Sequence, residues 1–507
     1  RQPQEEAREH PSLSLFRKVL VANRGEIAVR LLRTCRDFGS RTVAVYSDAD
    51  RGAQDVRLAD EAYPIGPAAA SESYLLGERI IEVARRAGCD AIHPGYGFLS
   101  ENAAFAEAVA AAGLVFVGPP GSVQRALGEK TSARRIARRA GVPIAEGTLE
   151  AVADERAAAD VARRLGYPVL LKPAGGGGGK GMRVVRAAGE LASAWRGATG
   201  EATSAFGDPA ILVERYLEGA RHVEVQLIAD DHGAVISLGE RDCSIQRRHQ
   251  KLIEETPAPS VDGALRARLA EAATAIARAA GYRNAGTAEF LVARDGGFVF
   301  LEVNTRLQVE HPVTEMVTGL DLVALQLLVA AGGRLPFRQQ DVRQDGAAIE
   351  CRITAEDVYA GFLPAAGRLG RVRLPAGPGI RVDTGIESGL TVPTEYDPLL
   401  AKIIAWGPTR QVALARMRRA LAESVIAGIP TTLPFHQHVL ADPEYAAGRY
   451  DTSYVERRWH GQTVDPDGTA LTAVAVAAVL TARERARHLA PADGSAWTRL
   501  AREDALR

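Results

Sequence analysis

The stretch that most constrains the fold is a predicted β-hairpin within residues 287–315. The stretch reads T-A-E-F-L-V-A-R-D-G-G-F-V-F-L-E-V-N-T-R-L-Q-V-E-H-P-V-T-E. Two runs rich in Val, Leu and Phe flank Asp295-Gly296, and Asp-Gly between apolar runs is a strong short-range hairpin signal. With the tip at these two residues, Glu289 is predicted to lie directly opposite Glu302.

Two carboxylates in that position repel each other. Directly opposed Cβ atoms are about 4.5–5.5 Å apart, and two like charges about 4 Å apart repel by about 1 kcal/mol in water and about 4 kcal/mol at an effective dielectric near 20. A divalent cation offsets this repulsion, and two carboxylates plus substrate phosphates commonly bind Mg²⁺. Asn304 and Arg306 follow at period two and extend the same face. The alternative interpretation is an exposed hairpin with solvated carboxylates.

Composition excludes several classes of protein. The 507 residues suffice for about three or four domains. Lys+Arg and Asp+Glu both number 62, so bulk charge indicates neither nucleic-acid nor membrane binding. No apolar run reaches membrane-spanning length. The four cysteines form no CxxC pair, which argues against a zinc ribbon or a redox motif. So few cysteines in a chain of this length fit a reducing cytoplasm.

After an arm predicted to be disordered (residues 1–15), strands alternate with helices and indicate a parallel sheet covered by helices. The predicted strands are Lys18–Ala22, Arg41–Tyr46, Asp90–His93 and Leu114–Val117, and the helices are Glu26–Phe38, Tyr74–Ala87 and Asn102–Ala112. Ligands of such sheets lie at the carboxyl ends of strands, where Asn23-Arg24-Gly25 and His93–Glu101 fall. There is no G-x-G-x-x-G, so a dinucleotide site is not expected, and His93 is interpreted as a satisfied loop residue.

A glycine run follows the next predicted strand, Tyr167–Lys172. Gly175–Gly179 are five consecutive glycines, followed by Lys180. Backbone without side chains can surround phosphates with its N–H groups. The run is not a Walker A loop, because Gly181 stands where Ser or Thr is required and a strand follows. A mobile linker is the alternative, but Lys172 at the strand end favours phosphate binding.

The segment Glu240–Glu255, E-R-D-C-S-I-Q-R-R-H-Q-K-L-I-E-E, is dense in charge. A solvated loop or helix would show such a composition. His249 and Lys251, two residues apart, suit one face of an extended segment.

From Gly346 the pattern changes to short alternating runs separated by Pro and Gly. These runs, at Ile349–Ile353, Gly367–Leu374 and Gly379–Asp383, predict a small antiparallel domain with a packed helix at Val412–Ala422. Val464–Gly468 is predicted to be a linker and Ala470–Ala486 an amphipathic helix.

Several long motifs, in this order, closely resemble biotin carboxylase. They read K-V-L-V-A-N-R-G-E-I-A-V-R, H-P-G-Y-G-F-L-S-E-N, K-P-A-G-G-G-G-G-K-G-M, R-H-V-E-V-Q, E-R-D-C-S-I-Q-R-R-H-Q-K, E-V-N-T-R-L-Q-V-E-H-P-V-T-E and E-C-R-I. The resemblance runs from about Phe16 to Trp459. The chain looks like the biotin carboxylase portion of an acyl-CoA carboxylase α subunit.

The resemblance implies an α/β chain, α+β in parts, with the ATP-grasp fold. An N-terminal Rossmann-like domain is expected at 16–130, and an ATP-grasp domain at 131–345 with a mobile lid at about 144–217. A small β-rich C-terminal domain is expected at 346–459, and a linker with a helical tail at 460–507. The implied reaction is ATP-dependent carboxylation of biotin with bicarbonate through carboxyphosphate, with Mg²⁺ or Mn²⁺ as the metal.

The resemblance also implies the site residues. The ATP-binding residues would be Lys130, Lys172, Gly178, Gly179, Glu214, Arg215, Leu217, His222, Gln246, His249, Glu289 and Glu302. The metal ligands would be Glu289, Glu302 and Asn304, and the bicarbonate-binding residues Lys251, Arg306, Gln308 and Val309. The catalytic residues would be Glu310, Arg306, Arg352 and Lys251, with Glu310 as the general base and Arg352 stabilising the biotin enolate.

The chemistry requires these residue types. Cations must neutralise the approach of bicarbonate to a polyanionic nucleotide, and a carboxylate base must deprotonate bicarbonate. Positive charge from Lys251, Arg306 and Arg352 would keep Glu310 ionised. For Arg352, a structural ion pair is the alternative.

The expected partners follow from what the sequence lacks. Biotin is attached in this family to a Lys flanked by Met, and none of Met182, Met316 and Met417 precedes Lys. Biotin is therefore expected on a separate carrier protein or on sequence outside this chain. The tail from Asp465 resembles the start of a segment that docks carboxyltransferase β subunits. A homo-oligomer, such as a dimer, or a larger carboxylase complex is expected.

Two other functions are compatible with the motifs. One is another ATP-grasp ligase, such as half of a carbamoyl phosphate synthetase, where the stretch E-V-N-T-R-L-Q-V-E-H-P-V-T-E is broadly similar. The other is a non-catalytic assembly subunit that retains the nucleotide fold. The motif E-C-R-I and the motif order favour biotin carboxylase over the first, and the intact charged residues argue against the second.

Overall fold

A computed structural model describes residues 15–174, 181–461 and 476–483 of the chain. The arm at 1–14, Gly178, Gly179 and the predicted linker Val464–Gly468 lie outside these residues. The chain divides into two units, Arg1–His460 and Gly461–Arg507. In the second unit, residues 476–483 are helical, within the predicted helix Ala470–Ala486.

The first region contains a five-stranded parallel sheet of order β3-β2-β1-β4-β5. Its elements are β1 (Lys18–Val21), α1 (Gly25–Asp37), β2 (Arg41–Ser47), α2 (Gln54–Leu58), β3 (Glu61–Gly66), α3 (Gly77–Arg86), β4 (Ala91–His93), α4 (Ala103–Ala111), β5 (Val115–Phe116) and α5 (Gly121–Gly128). The predicted alternation of strands and helices is confirmed. The edge strand β3 escaped prediction because E-A-Y-P-I-G contains a proline, which is tolerated at a sheet edge.

The strand order of this sheet reverses at β1, where ligands of open parallel sheets bind. The turns after β1 and β4 meet there. The Asn23 side chain donates hydrogen bonds of 2.7 Å to the carbonyls of Pro94 and Tyr96. His93 is the last residue of β4 and not a loop residue as predicted; it is buried, and its Nδ1 accepts from the Gly95 amide at 3.1 Å. The sequence placed both turns at this edge correctly.

The second region carries a small antiparallel sheet of order β7-β6-β8. Its elements are α6 (Lys130–Arg139), α7 (Glu155–Leu165), β6 (Val169–Pro173), β7 (Arg183–Val185), α8 (Leu191–Phe206) and β8 (Ile211–Arg215). Apolar side chains of β6 and β8 pack against alanines of α7 and α8 in a separate core cluster. Lys172 on β6 and Glu214 on β8 are thereby held on the sheet.

The largest element is an eight-stranded antiparallel sheet of order β13-β12-β9-β10-β11-β14-β21-β19. Its first part comprises β9 (Arg221–Ala229), β10 (Val235–Arg247), β11 (Gln250–Thr256), α9 (Gly263–Ala279), β12 (Asn284–Val292), β13 (Phe298–Asn304), α10 (His311–Thr318) and α11 (Leu322–Ala330). Apolar residues of α9 and β9 share a core with β12 and β13.

The charged segment Glu240–Glu255 is neither a solvated loop nor a helix. It forms most of β10 and β11, and Arg241, Glu254 and Glu255 are almost fully buried. Buried charges are tolerated here because each has an ionic partner: Arg241 and Glu254 pair with residues of neighbouring strands, and Glu255 pairs with Arg410. The two strands are joined by Arg248 and His249, both at positive φ. His249 therefore lies in the turn and not on a strand face with Lys251.

The C-terminal part supplies the remaining strands and helices. They are β14 (Ala347–Thr354), β15 (Glu356–Asp357), β16 (Leu363–Pro364), β17 (Gly367–Arg368), β18 (Val372–Arg373), β19 (Ile380–Thr384), β20 (Thr391–Val392), β21 (Leu399–Gly407), α12 (Arg410–Glu423), β22 (Val425–Ile426), α13 (Leu433–Ala441), α14 (Pro443–Ala446) and α15 (Tyr454–Arg458). The three longest strands, β14, β21 and β19, continue the eight-stranded sheet. The expected small antiparallel region is therefore not a separate sheet, although its helix α12 packs on β21 as expected. The domain boundaries stay a prediction.

Among the described residues, no single helix is long and apolar enough to cross a membrane. The pair α10 and α11, bent by 97°, reaches that length and composition only when taken together.

Candidate active site

The hairpin of β12 and β13 places Glu289 directly opposite Glu302, as predicted. The turn itself differs from the prediction. The Ala293 amide donates to the Gly297 carbonyl at 2.8 Å, so three residues form the loop, and Gly296 adopts a φ of +80°. A three-residue loop with Gly in the left-handed conformation is a common alternative to a two-residue turn.

A β-bulge corrects the register between this loop and the site. Phe290 pairs with Phe300, whereas its neighbour Glu289 pairs with Glu302, so Leu301 is an extra residue on β13. Neighbours in a regular strand point to opposite faces, yet Leu301 and Glu302 both line one cavity. The bulge thus presents an apolar side chain and a carboxylate side by side.

That cavity has a volume of about 930 Å³. It is lined by most of the predicted site residues, namely Lys130, Lys172, Glu214, Arg215, Leu217, His222, Gln246, His249, Lys251, Glu289, Glu302, Asn304, Arg306, Gln308, Val309 and Arg352. The turn after β1 lines the same cavity. Glu310 is the described member of the predicted set that does not line it, because its side chain is fully buried behind the wall.

Lys251 on β11 is the centre of the buried charges. Its ammonium group contacts the carboxylates of Glu224, Glu289 at 2.9 Å and Glu310 at 2.6 Å. Burial opposes its charge, but the three carboxylates raise its pKa well above the usual value. Lys251 therefore stays charged and fixes three acidic side chains from separate elements.

Glu310 lies between two cations. One of its oxygens accepts from Lys251 and the other from the Arg352 guanidinium at 2.9 Å. Burial alone would raise the pKa of Glu310, but the charges of Lys251, Arg352 and Arg241 lower it well below its usual value. Glu310 is therefore ionised, as the sequence predicted.

Three further residues of this network were not among the predicted site residues: Glu224, Arg241 and Glu254. Arg241 is fully buried and donates to Glu224 at 2.6 Å, and Glu254 accepts from Arg352. The motif R-H-V-E-V-Q gave a signal for Glu224, since alternation puts it on the face of His222. Arg241 and Glu254 gave none, because their charged surroundings resemble a solvated segment.

The loop that follows β13 carries the predicted bicarbonate-binding residues. Arg306 donates to Glu101 at 2.8 Å and to the Gln308 side-chain oxygen at 3.1 Å, and Gln308 donates to Glu289 at 3.2 Å. The Val309 carbonyl accepts at 2.9 Å from Lys402, a fully buried lysine on β21. This loop is thus tied to the hairpin, to the first region and to the C-terminal strands.

The opposite end of the cavity has charges without close partners. Among the described residues, Lys130 donates only to the Pro173 carbonyl, at 3.4 Å, and Lys172 lies 4.0 Å from Glu214. Burial and the charge of Lys172 lower the pKa of Lys130 to about 8. Two lysines with so little compensation fit an anionic ligand.

The carboxylates suited to a metal ion lie beside these lysines. Glu302 has no hydrogen-bond or ion-pair partner among the residues the structure describes, and burial together with the charge of Glu289 raises its pKa. Glu289 accepts from Asn304 at 2.8 Å as well as from His222 and Lys251. An uncompensated carboxylate opposite a second one fits a divalent cation.

The predicted adenine-binding strand borders the same cavity. Glu214 on β8 forms an ion pair with Arg134 of α6, while Arg215 donates to Glu146 at 2.8 Å. Burial lowers the pKa of His249. By contrast, the Glu289 carboxylate outweighs burial and raises the pKa of His222. The wall is polar beside Lys130, Lys172 and Glu302 and more apolar towards Leu217 and Leu301.

Sequence profiles of known families match almost the whole of the first unit. The biotin carboxylase N-terminal domain matches residues 15–123, the ATP-binding domain of the carbamoyl-phosphate synthase L chain matches 129–338, and the biotin carboxylase C-terminal domain matches 350–457. The central profile bears the name of the alternative enzyme considered from the sequence. The profiles on both sides are those of biotin carboxylase, which decides against that alternative.

Individual relatives of the chain point to the same family as these profiles. "Biotin carboxylase 1" of Bacillus subtilis (strain 168) is 48% identical over 87% of this chain and 98% of its own length. The mitochondrial "methylcrotonoyl-CoA carboxylase subunit alpha" of Arabidopsis thaliana is 48% identical over 92% of this chain, which spans 64% of that relative.

A solved structure is similar throughout. The biotin carboxylase domain dimer of Hydrogenobacter thermophilus 2-oxoglutarate carboxylase, in complex with MgADP, ADP and bicarbonate, has a TM-score of 0.86 and 44% identity, covering 89% of this chain and 99% of that one. Fold and site together define an ATP-grasp ligase. Within that class, the chain belongs to the biotin carboxylase family.

Proposed function

We propose that the chain carboxylates biotin with bicarbonate at the expense of ATP. Bicarbonate oxygen would attack the γ-phosphorus of ATP, releasing ADP and forming carboxyphosphate. Carboxyphosphate would break into CO₂ and phosphate. That phosphate would take the proton from the N1′ nitrogen of biotin, which would then attack CO₂. The observation that carries the proposal is the ionised Glu310, held between Lys251 and Arg352 directly behind the wall of the cavity that these two residues line.

The nucleotide is assigned to the end of the cavity that has uncompensated cations. Lys130 and Lys172 would bind its phosphates, and the wall near Leu217 and Leu301 would hold the base. Glu289 and Glu302, with Asn304, would hold Mg²⁺ or Mn²⁺, which would neutralise phosphate charge and orient the phosphates. Gly178 and Gly179, outside the described residues, remain candidates for contact with the phosphates.

Bicarbonate is assigned to the other end, beside Lys251, Arg306, Gln308 and the backbone of Val309. Glu310 is ionised and can accept a proton from bicarbonate, provided that one of its oxygens is released from a cation. Arg352 touches Glu310 and also faces the cavity. A guanidinium in that position can stabilise negative charge on the ureido oxygen of biotin.

The proposal includes partners. Biotin would arrive on a carrier protein or carrier domain, and the carboxyl group would pass to a carboxyltransferase, as in an acyl-CoA carboxylase. The Arabidopsis relative, whose name includes such a carboxylase, supports this assignment, and the dimeric Hydrogenobacter neighbour supports a homodimer. Four buried free thiols support a reducing compartment such as the cytoplasm.

The test separates the roles of Glu310 and Arg352. ADP release and carboxybiotin are followed together, with free biotin or a biotinylated carrier as substrate. Glu310→Gln should lower the rates of bicarbonate-dependent ATP cleavage and of carboxylation together, each by about 10²–10⁴-fold. Arg352→Gln should lower carboxylation much more than ATP cleavage. If both variants lose the two activities in the same ratio, the division of roles is wrong.

A further inference from the structure

Two carboxyl side chains lie on neighbouring strands behind Arg352. Glu254 on β11 and Glu350 on β14 are directly paired across the two strands, and both are fully buried. Directly opposed side chains have Cβ atoms about 4.5–5.5 Å apart. None of the roles assigned above uses Glu350.

The hydrogen bonds of this pair are incomplete. Glu254 accepts from the Arg352 Nε–H at 2.5 Å through Oε1. Its Oε2 and both oxygens of Glu350 are buried without a hydrogen-bond donor among the described residues. Buried polar atoms nearly always have a partner, and a buried ionised carboxylate without a donor is strongly disfavoured. Glu350 is therefore expected to carry a proton.

The cations nearby are already engaged. The charged groups that act on Glu350 are Glu254 on β11, Arg352 on its own strand, Lys402 on β21 and Glu310 before α10. His311, the first residue of α10, interacts with Lys402. Arg352 is shared by Glu254 and Glu310, while Lys402 contacts Glu26 at 3.2 Å and Asp383 at 3.8 Å. Neither is free to compensate a further negative charge.

The pKa shifts of Glu350, Glu254 and His311 agree with this arrangement of charges. Burial raises the pKa of Glu350 well above its usual value, against the attraction of Lys402. Burial also raises the pKa of Glu254, to about 7, against the attraction of Arg352. Burial lowers the pKa of His311, so this imidazole is neutral and adds no positive charge.

We propose that Glu350 and Glu254 share one proton, with Glu350 as its donor, and that the pair is a positioning device for Arg352. The single negative charge on Glu254 holds the Nε side of the guanidinium, so that its terminal nitrogen reaches Glu310. With both carboxyl groups ionised, two negative charges behind Arg352 would draw it away from Glu310. The catalytic part of this inference rests on the proposed function of Arg352, and the protonation part does not.

The protonation is tested by infrared spectroscopy near pH 8. The wild-type protein should show the absorption of a protonated carboxyl group, and Glu350→Gln should remove it. Glu240→Gln is the matched control, because Glu240 is equally buried but is paired with Arg266, and it should leave the band in place. An unchanged band in Glu350→Gln would show that Glu350 is ionised and would overturn the proposal.

Glu254→Gln provides a second measurement that does not depend on the folding of Glu350→Gln. It replaces the charged acceptor of the shared proton with a neutral one, so the carboxyl band should persist but move to higher frequency. A band at the wild-type frequency would contradict a shared proton.

The positioning role is tested by the ratio of carboxybiotin formed to ATP cleaved. Glu254→Gln should lower this ratio by about tenfold or more, since it replaces the charged acceptor of the Arg352 Nε–H with a neutral amide oxygen. Glu350→Gln mimics the protonated acid and should lower the ratio far less. Equal loss of ATP cleavage and carboxylation in Glu254→Gln would indicate a merely structural role. Failure of the proposed function would appear differently, as absence of biotin carboxylation in the wild type.

Discussion

The charged side chains at the two ends of the cavity differ in whether they have ionic partners within the protein. At the end assigned to bicarbonate, here called the bicarbonate end, Lys251 contacts three carboxylates and Arg352 contacts two. At the end assigned to the nucleotide, Lys130 and Glu302 have no ionic partner within 4.0 Å among the described residues. Paired charges fix side chains in place, whereas uncompensated charges are satisfied only when a charged ligand arrives. The difference therefore separates residues that maintain geometry from residues that bind.

The largest expected contrast between the two ends is in the free energy of unfolding after one lysine at each end is replaced. Lys251→Met leaves Glu224, Glu289 and Glu310 without their shared cation and should lower the free energy of unfolding by about 3–5 kcal/mol. Lys172→Met removes a buried lysine with one distant partner and should change it by less than about 1 kcal/mol. Urea unfolding without nucleotide measures both. Equal losses would show that the two ends do not differ in this respect.

Glu302→Gln should separate binding from stability. It relieves repulsion from Glu289, so the free energy of unfolding should stay unchanged or rise by up to about 1 kcal/mol. The Mg²⁺ concentration required for ATP cleavage should rise at least about tenfold. Glu289→Gln is the matched control, since it breaks contacts with Lys251 and His222 and should also destabilise the protein.

The effect of Glu302→Gln on the free energy of unfolding should depend on pH, and the sign of this dependence follows from the pKa of Glu302. The pKa of Glu302 is raised in the folded protein, so folding favours its protonated form. Its contribution to stability is complete below the unfolded pKa of about 4.3 and is lost as pH rises through the folded value. The stability advantage of Glu302→Gln should therefore be absent near pH 4 and grow above it. An advantage independent of pH would contradict the assigned repulsion.

The smallest expected effect is the uptake of a fraction of a proton when the nucleotide binds. The pKa of Lys130 is about 8 in the free protein, and bound phosphates would raise it. Nucleotide binding near pH 8 should therefore take up protons, as measured by calorimetry in buffers of different ionisation enthalpy. Lys130→Met should remove this uptake. Lys251 should contribute none, since its pKa is already raised well above the usual value.

The hairpin could be predicted from the sequence because its signals are local. Two errors cancelled in that prediction. The loop has three residues instead of two, and the bulge at Leu301 restores the pairing of Glu289 with Glu302. The parallel sheet and the turns at its carboxyl edge were also predictable, since alternation of strands and helices dictates them.

The bicarbonate end could not be assembled from spacing alone. Glu224, Lys251 and Glu310 come from β9, β11 and a loop, and strand order is not encoded in local patterns. The buried segment Glu240–Glu255 was open to interpretation as solvated because composition does not show which charges find partners. The family resemblance gave the residues Lys251, Glu310 and Arg352, and the structure gave the contacts between them. Their roles stay predictions.

The position of the bulge at Leu301 also determines where in the hairpin an inserted residue would disturb the two carboxylates. The loop Arg294-Asp295-Gly296 lies beyond the bulge, with Arg294 largely exposed, while the pairing of Thr287–Glu289 with Glu302–Asn304 lies before it. A change of loop length at the tip can be absorbed locally, whereas one extra residue between the bulge and Glu302 would turn the Glu302 side chain to the face opposite Glu289. The tip is thus a suitable place to attach a fluorophore or a tether, while the base tolerates no insertion.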